Sequence, residues 1–211
     1  MTPDPKISSF LKNYPEVPSP LVDKICTYYK ILTEWNSKIN LTRNDRGDRF
    51  FIENVLDPIL SAKAYQEYRE KEGLGPAKTL IDLGCGGGFV GIFWTLLQPK
   101  LNRSVLLDSN RKKINFCKQV IRELRLKNVE VIQDRAENFS QGFDIVVSRA
   151  TWRFSEFFKI AEGYLTASGE MISFQGPSFQ TDNPHLKILP YKIPFLEQSR
   201  YLAIGGKGVL S

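Results

Sequence analysis

The residues best placed to do chemistry cluster around one glycine-rich turn, Leu80-Ile81-Asp82-Leu83-Gly84-Cys85-Gly86-Gly87-Gly88-Phe89. An apolar run stops, glycines turn the chain, and a second apolar run begins: a buried strand, a tight loop and a helix. Without Cβ, the glycines let backbone lie directly against a ligand. Asp108 ends the next apolar stretch, 24 residues beyond Gly84. A carboxylate there can accept both hydroxyls of a ribose, although it also reads as an N-cap for the helix that follows. Asp134-Arg135-Ala136-Glu137 follows the third such stretch, where an adenine is expected. Three sites outside the carboxyl ends of consecutive strands mark the ligand crevice of an open α/β sheet. Gly86-Gly87-Gly88-Phe89-Val90-Gly91 also fits the dinucleotide pattern G-x-G-x-x-G. Asp82 separates the two ligands. A pyrophosphate has little use for a carboxylate beside the helix N-terminus, whereas the ammonium and sulfonium of S-adenosylmethionine do. The expected cofactor is S-adenosylmethionine, with a nicotinamide dinucleotide as the alternative.

The rest of the composition removes other chemistries. The 211 residues include one histidine, His185, in a segment that reads as a surface loop, and no G-x-S-x-G elbow accompanies it. A histidine-based nucleophilic triad is therefore not expected. Cys26, Cys85 and Cys117 are odd in number and far apart, which suggests reduced thiols in a cytoplasm and neither a disulfide framework nor a metal site. No apolar run has the length of a membrane span. A formal charge of +6 leaves room for a polyanionic partner.

Those candidate residues need a scaffold, and the periodicity supplies one. Leu21, Ile25, Tyr28, Leu32, Trp35 and Ile39 recur at helical spacing, giving an amphipathic helix over 20–38 with Ser19 as N-cap and Pro20 at its first position. A helical pattern over 48–69 is interrupted by Pro58, where a kink or a new start is expected. Gly73-Leu74-Gly75-Pro76 is the natural boundary. It divides a helical extension over 1–72, packed on the core, from a cofactor-binding domain over 77–211. Within that domain, strands at 79–83, 104–107, 129–132, 143–147 and 170–174 alternate with helices at 89–98, 110–126 and 154–165. The alternation implies an α/β fold with a mostly parallel, doubly wound Rossmann-like sheet. Two extended stretches near 186–193 and 199–205 suit an antiparallel hairpin at its edge.

Several of these motifs, in their order, resemble the ribosomal RNA small-subunit methyltransferase G family, also called glucose-inhibited division protein B. They are Trp35-Asn36, Asn40-Leu41-Thr42, Leu56-Asp57, the glycine loop, Leu107-Asp108-Ser109, Arg135-Ala136-Glu137 and Ser148-Arg149-Ala150. The resemblance implies a class I methyltransferase that modifies N7 of one guanosine in 16S ribosomal RNA or the ribosomal subunit, as a metal-free, monomeric cytoplasmic enzyme. It would place Asp82, Gly84, Cys85, Gly86, Gly88, Asp108, Ser109, Arg135, Ala136, Glu137 and Arg149 around the cofactor, with Arg149 also at the reaction centre. Asn40, Thr42, Arg43, Asn54 and Gln175 would face the substrate. Guanine N7 has a lone pair and no proton, so its attack on a methyl group needs no general base, in keeping with the single histidine.

The sequence departs from the family pattern on the substrate side. Glu53-Asn54 stands where Arg-His is usual and Gln175-Gly176 where Lys-Gly is usual; apart from these, the glycine loop carries Gly87 where proline is usual. An altered substrate, or a paralogue that binds without efficient catalysis, is the alternative expectation. Two basic groups are candidate RNA contacts: Arg43, Arg46 and Arg49, and the helical face of Arg111, Lys118, Arg122 and Arg125. The latter reads first as a solvated face, with RNA contact as the alternative. Trp152 can stack on a base or pack in the core, and Arg149 can hold the substrate or pair with Asp82 or Glu137.

Overall fold

The computed structural model describes residues 14, 17–38, 41, 47–194 and 196–209. The expected substrate residues Asn40, Thr42 and Arg43, together with Arg46, lie outside them. Helix α1 spans Ser19–Asn36 and buries Leu21, Ile25, Tyr28, Ile31 and Leu32. The N-cap is Pro18 and no side chain caps the helix, so Ser19 is its first residue instead of its cap.

The segment with Pro58 is continuous and locally widened. Helix α2 (Gly47–Phe51) passes into a π-helical turn, Ile52–Leu56, and then into α3 (Asp57–Lys71), with Pro58 in its first turn. The Asp57 amide donates to the Ile52 carbonyl, five residues back. A proline ring crowds the carbonyl four residues before it, and the wider turn moves that carbonyl, on Asn54, away without breaking the helix.

Strands β1 (Thr79–Leu83), β2 (Arg103–Asp108), β3 (Val129–Gln133), β4 (Phe143–Ser148), β5 (Leu165–Gln175), β6 (Lys187–Tyr191) and β7 (Arg200–Gly205) form one sheet of order β3-β2-β1-β4-β5-β7-β6. The first five are parallel, and β7 runs antiparallel between β5 and β6. The hairpin thus inserts its second strand first, leaving β6, with Pro190, on the edge where a missing amide costs least. Helices α4 (Phe89–Leu97), α5 (Arg111–Leu124) and α6 (Phe154–Glu162) connect the parallel strands. Strand β5 starts five residues earlier than expected because Leu165 already pairs with Phe143. The register then skips to Ile145 opposite Glu170. Gly169 sits in this irregularity, where a Cβ would stand 2.6 Å from the Phe143 carbonyl oxygen.

Side-chain alternation along the strands divides the core. Leu80, Leu106, Ile145 and Val147 pack towards α1, α3, α4 and α5, whereas Ile81, Leu83, Val105 and Val146 pack towards α6. Asp82 shares the face of Leu80. Its side chain is turned inward, is only 2% exposed, and accepts a hydrogen bond from the Gly91 amide at 2.8 Å. The carboxylate expected to favour the methionine half of the cofactor, directly or through water, here holds the first turn of α4, whose early amides lack helical partners. Burial pushes its pKa up to about 7, against the opposing effects of the Gly91 amide and the Arg149 charge.

A second polar group ties α3 to the sheet. The Glu170 carboxylate accepts from the Tyr65 hydroxyl at 2.6 Å and the Tyr68 hydroxyl at 3.2 Å, and it pairs with Arg69. Truncating it strands a largely buried arginine. We expect Glu170→Ala to lose about 3–5 kcal/mol of stability in urea titration; a loss below about 1 kcal/mol would show that α3 is held by apolar packing alone. Asp82 gives a pH signature. The unfolded carboxyl titrates near 4 and the folded one at about 7, so the folded state retains a proton that the unfolded state releases between them. The stability this gives is full below the lower value and is lost as pH rises through the upper one. Asp82→Asn, which keeps an acceptor for Gly91, should flatten that slope in urea titrations from pH 4 to pH 8. Parallel profiles for the parent and the variant would contradict it.

Candidate active site

Among the described residues, two cavities open at the carboxyl ends of the parallel strands. The first, about 610 Å³, is walled by Gly84, Leu107, Asp108, Ser109, Asn110 and Lys113 on one side. Asp134, Arg135, Ala136, Glu137, Ala150, Thr151 and Trp152 complete it. This volume lies in the range of small-molecule and cofactor sites. Of the residues expected at a cofactor, Gly84, Asp108, Ser109, Arg135, Ala136 and Glu137 are brought together here. Asp82, Cys85, Gly86, Gly88 and Arg149 are not in the wall.

The glycine loop explains the difference. Gly84, Gly86 and Gly88 all have positive φ, at 63°, 59° and 74°. At Gly84 a Cβ would stand 2.4 Å from Thr151 Cγ2, whose hydroxyl donates to the Gly84 carbonyl at 3.1 Å. At Gly86 a Cβ would meet nothing within 4 Å, so that residue borders open space. Gly88 precedes α4 as its N-cap. The Tyr28 hydroxyl of α1 donates to the Gly87 carbonyl at 2.5 Å, bracing the loop from behind. Cys85 is buried there beside Cys117, and their mutual contact and burial hold the Cys85 thiol well above its ordinary pKa. Cys85 therefore backs the loop and does not face the cavity.

Asp108 is placed by backbone amides. Its Oδ2 accepts from Gly86 at 3.0 Å and its Oδ1 from Asn110 at 2.8 Å, with Lys113 Nζ 3.7 Å away. The helix cap is Asn110, whose side chain accepts from the amides of Lys112 and Lys113. Asp108 is left at the cavity wall with its carboxylate oriented and with acceptor capacity remaining on both oxygens.

The second cavity, about 530 Å³, is lined by Arg49, Glu53, Asn54, Asp57 and Arg149, and by Ala150, Phe174, Gln175, Gly176, Tyr191 and Arg200. Arg149 is its centre. It donates to the Glu53 carbonyl, to Asn54 Oδ1 at 3.0 Å and to Asp57 Oδ2 at 3.1 Å, and its guanidinium lies 5.7 Å from the Phe89 ring centroid. Its partner is thus Asp57, and neither Asp82 nor Glu137, because the π-helical turn brings these acceptors to the end of β4. Tyr191 of β6 donates to Asp57 Oδ1 at 2.5 Å. Burial and that carboxylate raise the Tyr191 pKa well above its ordinary value. Gln175 donates to Ser173 Oγ at 2.7 Å.

Ala150 walls both cavities and has a φ of 57°, a region uncommon for residues with a side chain. Asp57, Tyr191 and Arg200 were missed as site residues. Leu56-Asp57 stood among the recognised motifs, but Tyr191 and Arg200 enter through a hairpin whose position in the sheet carries no local sequence signal. His185 is exposed in its loop, as expected, and Trp152 is half-buried at the first cavity.

Comparison with known proteins agrees with this geometry. Residues 21–190 match the family model described as rRNA small subunit methyltransferase G. A protein of that name from Mesoplasma florum is 34% identical over 94% of this chain and 83% of its own. One from Francisella tularensis subsp. tularensis is 30% identical over 87% and 86%. Among solved structures, a putative methyltransferase, yhhF, from Escherichia coli superposes with a TM-score of 0.52 at 14% identity, covering 70% of this chain and 86% of that one. A ribosomal protein L11 methylase from Lactobacillus delbrueckii subsp. bulgaricus gives 0.53 at 15% identity, over 69% and 77%. These two show the shared fold. With the family model matching most of its length, the chain belongs to the rRNA small subunit methyltransferase G family.

Proposed function

We propose that this protein methylates N7 of a guanine in small-subunit (16S) ribosomal RNA, with S-adenosylmethionine in the first cavity and the base in the second. The observation that carries this reading is the shared wall: Ala150 belongs to both cavities, so groups held in each meet across one residue. Backbone outliers of this kind concentrate at functional sites.

The residues present fit S-adenosylmethionine. Open space borders Gly86, an oriented carboxylate on Asp108 can take ribose hydroxyls, and Ala136 and Glu137 offer a lining for adenine. Ser109 and Arg135 flank that lining, while Gly84, Gly88 and Cys85 shape and back the loop. When bound, the cofactor supplies a methyl group activated by a sulfonium. The chain's own work is placement. Arg149, fixed by three acceptors, orients the base or its phosphate, and Asn54 and Gln175 wall the same space, with Asn40, Thr42 and Arg43 as further substrate contacts. The nucleophile carries a lone pair and no proton, so the reaction requires neither a base nor a metal of the protein. Proximity alone is worth about 7–11 kcal/mol in such alignments. The extension over 1–72 supplies one wall of the substrate side, and the segment over 77–211 holds the cofactor. The exposed Arg111, Lys118, Arg122 and Arg125 offer a positive face to flanking phosphates.

The test combines binding with product analysis. By isothermal titration, Asp108→Ala should weaken S-adenosylmethionine binding by about tenfold or more, the cost of hydrogen bonds to a charged acceptor. With small ribosomal subunits or RNA from cells lacking the modification, the parent should produce 7-methylguanosine. Arg149→Lys keeps the charge opposite Asp57 but loses the planar fork. It should reduce kcat/KM for RNA by about 100-fold while cofactor affinity stays near that of the parent. Tight cofactor binding without 7-methylguanosine would contradict the proposal and point to a changed substrate.

A further inference from the structure

Among the described residues, Trp152 is the one aromatic residue in the wall of the first cavity, and it is not in the wall of the second. Most of the other residues around the first cavity are polar. Trp152 is half-buried and packs against the apolar cluster that contains Leu107 and Ala136, both of which wall the same cavity. The segment that carries it is fixed on both sides. Ala150 turns the chain through its left-handed conformation, and the Thr151 hydroxyl donates to the Gly84 carbonyl at 3.1 Å. On the other side the Phe157 amide donates to the Arg153 carbonyl at 3.0 Å, where α6 begins. A large flat side chain is thereby held on an anchored piece of backbone at the edge of the cofactor cavity.

Resting on the reading that S-adenosylmethionine occupies this cavity, we propose that Trp152 binds the adenine of the cofactor by stacking its indole on the purine face. Adenine is the only flat, aromatic part of that molecule; the ribose and the amino-acid half are polar or charged. With the ribose hydroxyls on Asp108, the apolar surface of Leu107, Ala136 and Trp152 is what the wall offers to the base. Aromatic rings stack offset and parallel with a gain beyond the area they bury, and every base has a π-face that an aromatic side chain can use. A ring whose backbone is already anchored loses little freedom when the ligand arrives. The same indole is less suited to an RNA base, because the cavity proposed for that base does not include Trp152. The turn at 149–152 thus serves both ligands, with Arg149 directed to the substrate and Trp152 to the cofactor.

The experiment uses the full chain and S-adenosylhomocysteine, followed by tryptophan emission and by isothermal titration. Of the three tryptophans, Trp94 is fully buried, Trp35 donates its indole N–H to Gln119, and neither walls a cavity. The parent's emission should therefore be quenched on binding, through Trp152. In Trp152→Phe, which keeps a ring, the quench should vanish while Kd stays within about threefold of the parent. In Trp152→Leu, Kd should rise about tenfold, the loss of one base–aromatic stack. Methylthioadenosine, which has the adenine and ribose but no amino acid, should lose affinity by the same factor. The KM for RNA should not change. A quench that persists in Trp152→Phe, or equal affinities in the parent and Trp152→Leu, overturns the assignment, and so does a Trp152→Leu variant in which only the KM for RNA rises. Failure of the parent to bind S-adenosylhomocysteine overturns the cofactor reading and this one with it. Binding and quenching without 7-methylguanosine leave this assignment standing and overturn only the proposed substrate.

Discussion

The arrangement depends on one guanidinium. Arg149 leaves the end of β4 and is held by a backbone carbonyl, an amide and a carboxylate, all from the turn at residues 53–57. Those residues belong to the helical segment that precedes the sheet in sequence. The same carboxylate, on Asp57, accepts the hydroxyl of Tyr191 from the C-terminal hairpin. Three distant parts of the chain therefore converge on a partly buried ion pair. Such pairs recover their desolvation cost only when their hydrogen bonds are filled. Here the π-helical turn makes that possible by bringing the Glu53 carbonyl, Asn54 and Asp57 to face one arginine.

The first cavity is braced by related means. Tyr28 supports the glycine loop from α1, Thr151 packs against Gly84, and Asp82 fixes the start of α4. Asp108 receives two backbone amides and so reaches the cavity wall already oriented. Little side-chain reorganisation is then needed when a ligand arrives, which is where pre-organised sites gain affinity.

The sheet was legible because β1, β2 and β4 are short apolar runs separated by helical periodicity, and the glycine loop announced the strand–turn–helix junction. Asp108, Ala136 and Glu137 could be placed because an α/β crevice lies at strand ends whatever the side chains elsewhere. For Asp82, residue type alone did not separate cofactor support from helix support: both faces of β1 are covered, and its carboxylate bonds the Gly91 amide. Arg149 was found, but its partner was not, since the π-helical turn arises from a conflict between Pro58 and the carbonyl of Asn54. Tyr191 and Arg200 were invisible for a topological reason: nothing local reveals that β7 slips between β5 and β6.

In the proposed function, cofactor and base approach each other across Ala150. A crystal structure with bound S-adenosylmethionine tests it most directly. Ribose hydroxyls are expected on Asp108, adenine against Ala136 and Glu137, and the methyl group directed past Ala150 into the cavity of Arg149. A cofactor seated among Glu53, Asp57 and Tyr191, or one whose methyl group points away from Ala150, would contradict it.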